Sequence, residues 1–299
     1  VSTPTNNNQP PTPYVLAIDI GSSSVRATVY DARANAVPRL SIATPHVTPT
    51  TPDGGAADDA LVLADVVERT ISELLTLAGD AASNVVAVGL DTFVGNLLGL
   101  DSDGRPTTPV YTYADTRSLE EVAQMRRDLD AVDVHQRTGV VLHTAYAPAR
   151  LPWVRRTNSE AWTATVRWTD FATYMYGLWF GREAACSSSV ASWSGLLNRQ
   201  TGDWDTHLVN YTGISADQLP KVANYSDVMS GLTSGYASKW PSLSNVPFTL
   251  AVGDGAAANV GEGCSAPGST ALTVGTTGAV RAGVPIPLAE VPRGLSVYN

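Results

Sequence analysis

Apolar and polar residues begin to alternate at Tyr14. The run YVLAIDI (Tyr14 to Ile20) and the alternating segment SVRATVYD (Ser24 to Asp31) flank a short Gly21-Ser22-Ser23 connection. This pattern predicts a β-hairpin. A third strand is expected over Arg39 to Thr44, followed by loop from Pro45 to Gly55. Over Ala56 to Ala78, residues Leu61, Leu63, Val66, Val67, Ile71, Leu74 and Leu75 recur at helical spacing, and Gly79 marks the stop, so a helix is expected. Strands follow at Val85 to Leu90, Asn96 to Leu100 and Pro109 to Tyr113. Further helices are expected at Ser118 to Leu129, Ala147 to Arg156 and Asp170 to Leu178, the first two forming a lobe outside the strand-rich core. The pattern is loose from Lys221 to Leu250. It then sharpens into a strand (Phe248 to Val252), an acidic turn at Asp254 and an Ala-rich helix reaching Val260.

One motif recurs. DIGSSSVRATVY near the start and TVGTTGAVRAG near the end both set a Gly-Ser/Thr turn between two strands. The recurrence predicts two domains of like topology facing one cleft, at a spacing too long for a solenoid. The expected division is a flexible, polar, proline-rich leader over 1–13, a first domain over 14–244 and an incomplete second domain over 245–299. The leader has neither a basic patch nor an apolar stretch, which argues against a signal peptide. Asn84 to Leu100 is the most apolar segment, but Asp91 and several glycines interrupt it, so it reads as strand and loop.

Composition narrows the function classes. The chain is 43% hydrophobic and 16% charged, enough to bury a core and too apolar for bulk disorder. Its net charge of -9 disfavours nucleic acid or an anionic membrane as partner, because no positive surplus exists to release counterions. Backbone N–H groups can still bind a small phosphate-bearing ligand. Two cysteines, Cys186 and Cys264, exclude a disulfide scaffold and fit a cytoplasmic location.

Several residues carry candidate chemistry. Asp19 ends a strand before the Ser-rich turn, where a carboxylate beside backbone N–H groups suits a divalent cation bridging phosphates; an Asx turn is the plainer reading. Asp254 follows a strand and opens a helix of small residues, as a general base or as a helix N-cap. Gly275 and Thr276 offer N–H and hydroxyl donors to phosphate, or simply make a tight turn. Asp115 and Arg117 can orient polyol hydroxyls or form a structural ion pair, and His143 can bond a sugar hydroxyl or sit in the core. The tryptophans read mainly as packing.

Five segments together resemble the FGGY carbohydrate kinases: DIGSSSVRATVYD, YADTRS, GREAACSSSVASWSGLLNRQTGDWD, VGDGAAANVGEG and VGTTGAVRAG, in that order. The resemblance implies an α/β, ribonuclease H-like (actin/hexokinase-like) fold with a mixed sheet flanked by helices, its second like domain incomplete here. It implies a kinase that transfers phosphate from ATP with Mg2+ to a small sugar or sugar acid. Asp254 matches the family's catalytic base and Asp19 its magnesium-organising aspartate. Ser22 and Ser23 fall in the first phosphate loop, Gly275 and Thr276 in the second. Asp115 and Arg117 match the W-x-D-x-R segment, with Tyr113 replacing the tryptophan, and His143 joins them as a substrate-binding residue. Val94 and Gly95 stand where glycerol kinases carry Arg-Glu, and the Met-His of xylulose and gluconate kinases is missing too. TGVVLHTAYAPARLPW, with His143, lies closer to the gluconate-kinase branch. A homodimer is among the expected assemblies, and the 299 residues alone are expected to lack turnover. The alternatives are another phosphoryl-transfer enzyme or hydrolase on the actin-like fold, and a sugar-binding fragment or pseudo-kinase.

Overall fold

β1 (Tyr14–Ile20) and β2 (Ser24–Tyr30) form the expected antiparallel hairpin, and β3 (Ala36–Pro45) extends it on the β2 side. The computed structural model describes residues 12–274, 278–284 and 286–299. Alternation in β1 sends Leu16, Ile18 and Ile20 to one fully buried face, and Val25, Ala27 and Val29 of β2 join them. The strand Val85–Thr92 lies parallel to β1 on its other edge. Beyond it run the short strands Phe248–Thr249 and Val252–Gly253, both parallel to Val85–Thr92, and Val228–Met229 closes that side antiparallel. The result is a seven-stranded mixed sheet.

α1 (Ala60–Ala78) starts where Asp59 accepts hydrogen bonds from the N–H groups of Leu61 and Val62, and it stops at Gly79, whose φ of 53° is open to glycine. Leu63, Val66, Val67, Ile71 and Leu74 are buried among the sheet residues. Leu61, counted on the apolar stripe from sequence, is instead exposed on the first turn. The helix Phe171–Phe180 adds Trp179 and Tyr176 to the same core, with Asp170 capping it through the Thr173 N–H.

A second core forms beside the first. The helices Leu119–Asp128 and Ala147–Thr157 bury Val122, Met125, Leu151, Trp153 and Val154 with Leu97 and Tyr111, as the expected lobe. Two short helices, Ala131–Thr138 and Thr206–Thr212, escape the periodicity because two turns carry too few apolar positions to register. The strand expected over Phe248 to Val252 is broken into two pieces at the buried Leu250 and Ala251. Helix Asp254–Gly261 follows, then the hairpin of Thr270–Val274 and Gly278–Ala282. The remaining segment returns to the lobe: Val297 N–H donates to Gly139 O (2.9 Å), and the Tyr298 ring stacks on Trp193 at 3.4 Å. No helix among the described residues is long and apolar enough to cross a membrane.

Candidate active site

Three parallel strands deliver three carboxylates to one edge of the sheet. In the β1 register Asp19 lies opposite Asp91, and Asp91 in turn lies opposite Val252, two residues before Asp254. Each follows or ends a strand at its carboxyl end, where open α/β sheets bind ligands. Asp254 is held there by a serine-rich stretch. Ser189 Oγ accepts from Gly253 N–H (3.2 Å), and Ser187 Oγ donates to Ala251 O. The N-cap reading of Asp254 does not describe its position: Gly253 occupies the cap, and Asp254 is the first helical residue, accepting from the Gly255 N–H at 2.7 Å.

The turn after β1 closes through Gly21 N–H to Ser24 O (3.0 Å), and His46 Nε2 contacts Gly21 O at 2.9 Å. Ser22 and Ser23 are left exposed at its tip. A cavity of about 510 Å³ lies between this turn and Asp19, Asp91, Asp254 and Arg281. A smaller cavity of about 250 Å³ adjoins it, walled by Val94, Gly95, Tyr113, Tyr146 and Trp193. Ser22, Asp254 and Arg281 line both. Trp193 contributes a buried indole N–H that has no hydrogen-bond partner among the described residues.

Electrostatics single out Asp91 and Asp254. Burial, followed by the adjacent Asp19 carboxylate, pushes Asp91 well above the usual carboxylate range. Burial also raises Asp254, against the opposing pull of the Gly255 N–H and the Arg281 guanidinium. Asp19 itself is bridged by Arg26 at 2.8 Å. Among the described residues no group of three or more acidic, histidine or cysteine side chains is arranged to hold a metal alone. The Asp19 carboxylate lining the larger cavity fits magnesium, which takes one or two carboxylates and completes its shell with phosphates and water.

The structure thus brings together Asp19, Ser22, Ser23 and Asp254. Gly275 and Thr276 lie outside the described residues. Asp115, Arg117 and His143 line neither cavity. Asp115 is buried, accepts from Ala56 N–H (3.1 Å) and pairs with Arg117, whose guanidinium lies 4.6 Å over the Trp153 ring. The pair follows Tyr113, which does line the smaller cavity. His143 accepts from Ala145 N–H (3.1 Å) and packs edge-on against Tyr146, a cavity residue; desolvation and the charges of Arg150 and Arg126 lower its pKa.

Sequence reasoning missed Asp91, Arg281 and Arg150. Asp91 carried a signal, since AVGLD ends an apolar strand with aspartate just as VLAID does at Asp19. Arg150 is fully buried in helix Ala147–Thr157 and donates to Gly95 O (2.6 Å) and to Thr112 O, fixing the backbone on either side of the smaller cavity.

The profile of the FGGY family of carbohydrate kinases, N-terminal domain, matches residues 14–261. The chain is 24% identical over 270 residues to a gluconokinase of Bacillus subtilis (strain 168), covering 90% of this chain and 52% of that protein. It is 25% identical over 269 residues to a glycerol kinase of Acaryochloris marina (strain MBIC 11017), covering 88% and 52%. A gluconate kinase structure from Lactobacillus acidophilus superposes with a TM-score of 0.83 at 25% identity, covering 90% of this chain and 54% of that one. A xylulose kinase structure from Rhodospirillum rubrum gives a TM-score of 0.84 at 22% identity over 89% and 55%, a likeness of fold. The chain spans about half the length of the curated relatives it matches. The α/β architecture, a mixed sheet flanked by helices, is that of the actin/hexokinase-like group, as the sequence implied.

Proposed function

The chain belongs to the FGGY family of carbohydrate kinases, and from that membership we propose that it serves ATP-dependent phosphorylation of a hydroxyl on a small sugar or sugar acid, gluconate- or pentulose-like. The observation that carries this reading is the pair of adjoining cavities that share Asp254 and Ser22. The larger is ringed by carboxylates, Arg26, Arg281 and the Ser-rich turn, suited to phosphates carried with a cation; the other is smaller and walled by aromatic rings and Gly95, suited to a short polyol chain. In-line transfer demands two such compartments meeting at a base.

Asp254 removes the proton of the attacking hydroxyl. Its raised pKa moves it toward the range in which a carboxylate accepts a proton readily. Asp19 would hold magnesium, and the turn at Ser22 and Ser23 would offer its hydroxyls and N–H groups to phosphate, the part the sequence also assigns to Gly275 and Thr276. When bound, magnesium neutralises charge developing on the phosphate oxygens. Asp115 and Arg117 brace the segment that presents Tyr113, and His143 backs Tyr146. Their part in substrate binding runs through these two rings.

Asp254→Asn tests the reading in the full-length protein that carries this chain. Turnover with gluconate, xylulose, ribulose and glycerol is expected to fall by ~10²–10⁴-fold for whichever is the substrate. Affinity for that substrate, measured by calorimetry, should stay near wild type. Turnover surviving the substitution would remove Asp254 from the chemistry.

A further inference from the structure

Arg281 stands out because its guanidinium acts on Asp254 through charge without bonding to it. Its side chain donates to Thr273 Oγ1 at 3.2 Å and makes no ion pair among the described residues. It is half-buried, on the strand Gly278–Ala282, and it lines both cavities beside Asp254. Its guanidinium packs against Gly255. A Cβ added there would meet Nε at 2.8 Å and Cζ at 3.2 Å, so only glycine lets the group come this close to the first turn of the helix. A guanidinium at the junction of two cavities, whose one side-chain hydrogen bond among the described residues goes to Thr273, can receive an oxyanion.

We propose that Arg281 contacts the transferring phosphoryl group and offsets the charge on its oxygens. The proposal rests on the kinase reading above. In the step it serves, the hydroxyl proton passes to the Asp254 carboxylate and the hydroxyl oxygen forms a bond to the γ-phosphorus. The bond from that phosphorus to the β–γ bridging oxygen breaks, its electron pair leaving with ADP. Arg281 exchanges no proton, since a guanidinium stays charged throughout. A sugar-acid carboxylate is the other oxyanion within reach of such a site. It is separated from a distal reacting hydroxyl by the length of the carbon chain, whereas the phosphoryl group bonds that hydroxyl directly. A cation beside the base therefore lies beside the phosphoryl group.

Three variants of the full-length protein test this: Arg281→Gln, Arg281→Lys and Gly255→Ala, the last keeping the arginine but displacing it. Calorimetry with inorganic phosphate, gluconate and its neutral counterpart glucitol reads binding without turnover. Arg281→Gln is expected to weaken phosphate about tenfold or more, as loss of a charged hydrogen bond does. Arg281→Lys should restore part of that, and Gly255→Ala should weaken phosphate in the same direction. Gluconate and glucitol affinities should hold, and kcat should fall with KM for the sugar unmoved. Unchanged phosphate affinity in Arg281→Gln overturns the proposal. So does a loss confined to gluconate, which assigns the arginine to a substrate carboxylate. Phosphate binding that depends on Arg281 in a protein that phosphorylates none of the sugars overturns the kinase reading and leaves the oxyanion contact standing.

Discussion

The two strand–turn–strand units look alike in sequence and live in different surroundings. In the first, Leu16, Ile18 and Ile20 are 0% exposed, because α1 covers one face of the sheet and neighbouring strands flank both edges. In the second, Leu272, Val274 and Val280 are 65%, 78% and 71% exposed, and the hairpin forms a two-stranded sheet of its own. Local pattern sets the hairpin in both. Burial, and with it stability, comes only where other elements cover the apolar face, since an isolated two-stranded hairpin is marginal in water. The residues lining the larger cavity straddle this divide: Asp19 hangs from the buried unit and Arg281 from the exposed one.

The contrast breaks most visibly at Ile18. Ile18→Ala leaves a cavity in the closed core and is expected to cost ~2–5 kcal/mol in urea unfolding. A cost below ~1 kcal/mol would mean that the first hairpin is no better supported than the second.

Asp91 sharpens the comparison through pH, because it sits beside Asp19 at the end of the buried unit. Its folded-state pKa is raised by burial and by Asp19. The stability it contributes is therefore full below the ordinary carboxylate value and is lost as pH rises through the raised one. Asp91→Asn mimics the protonated form and should raise Tm by about 2 °C at pH 9, with no gain at pH 4. A gain equal at both pH values would show that charge is not the cause.

The smallest effect belongs to the second hairpin. Val280→Thr, at a position already in water, should shift stability by no more than ~0.5 kcal/mol. A larger loss would reveal that this face is covered in solution.

Periodicity and turn chemistry determined the first hairpin, α1 with its Gly79 stop (though its start lies at Asp59 and not at Ala56), the two longer lobe helices, and the strand-end positions of Asp19 and Asp254. These are local properties: alternation and helical spacing report which face of an element is apolar, and Asp, Ser and Gly act on the backbone within a few residues. Gly275 and Thr276 lie outside the described residues. Tertiary structure decided the rest. Asp91 became a neighbour of Asp19 only through the parallel register of two strands far apart in the chain. Arg150 sits at apolar spacing in its helix, between Ala147 and Val154, and no local rule says that a buried guanidinium will find backbone carbonyls at Gly95 and Thr112. Asp115 and Arg117 carry a motif yet line neither cavity, because the pair is drawn inward to the Ala56 N–H and the Trp153 ring. Periodicity names the face an element buries, but the partner on that face is chosen by packing across the whole chain, and the meeting of Asp254, Ser22 and Arg281 is a product of that packing.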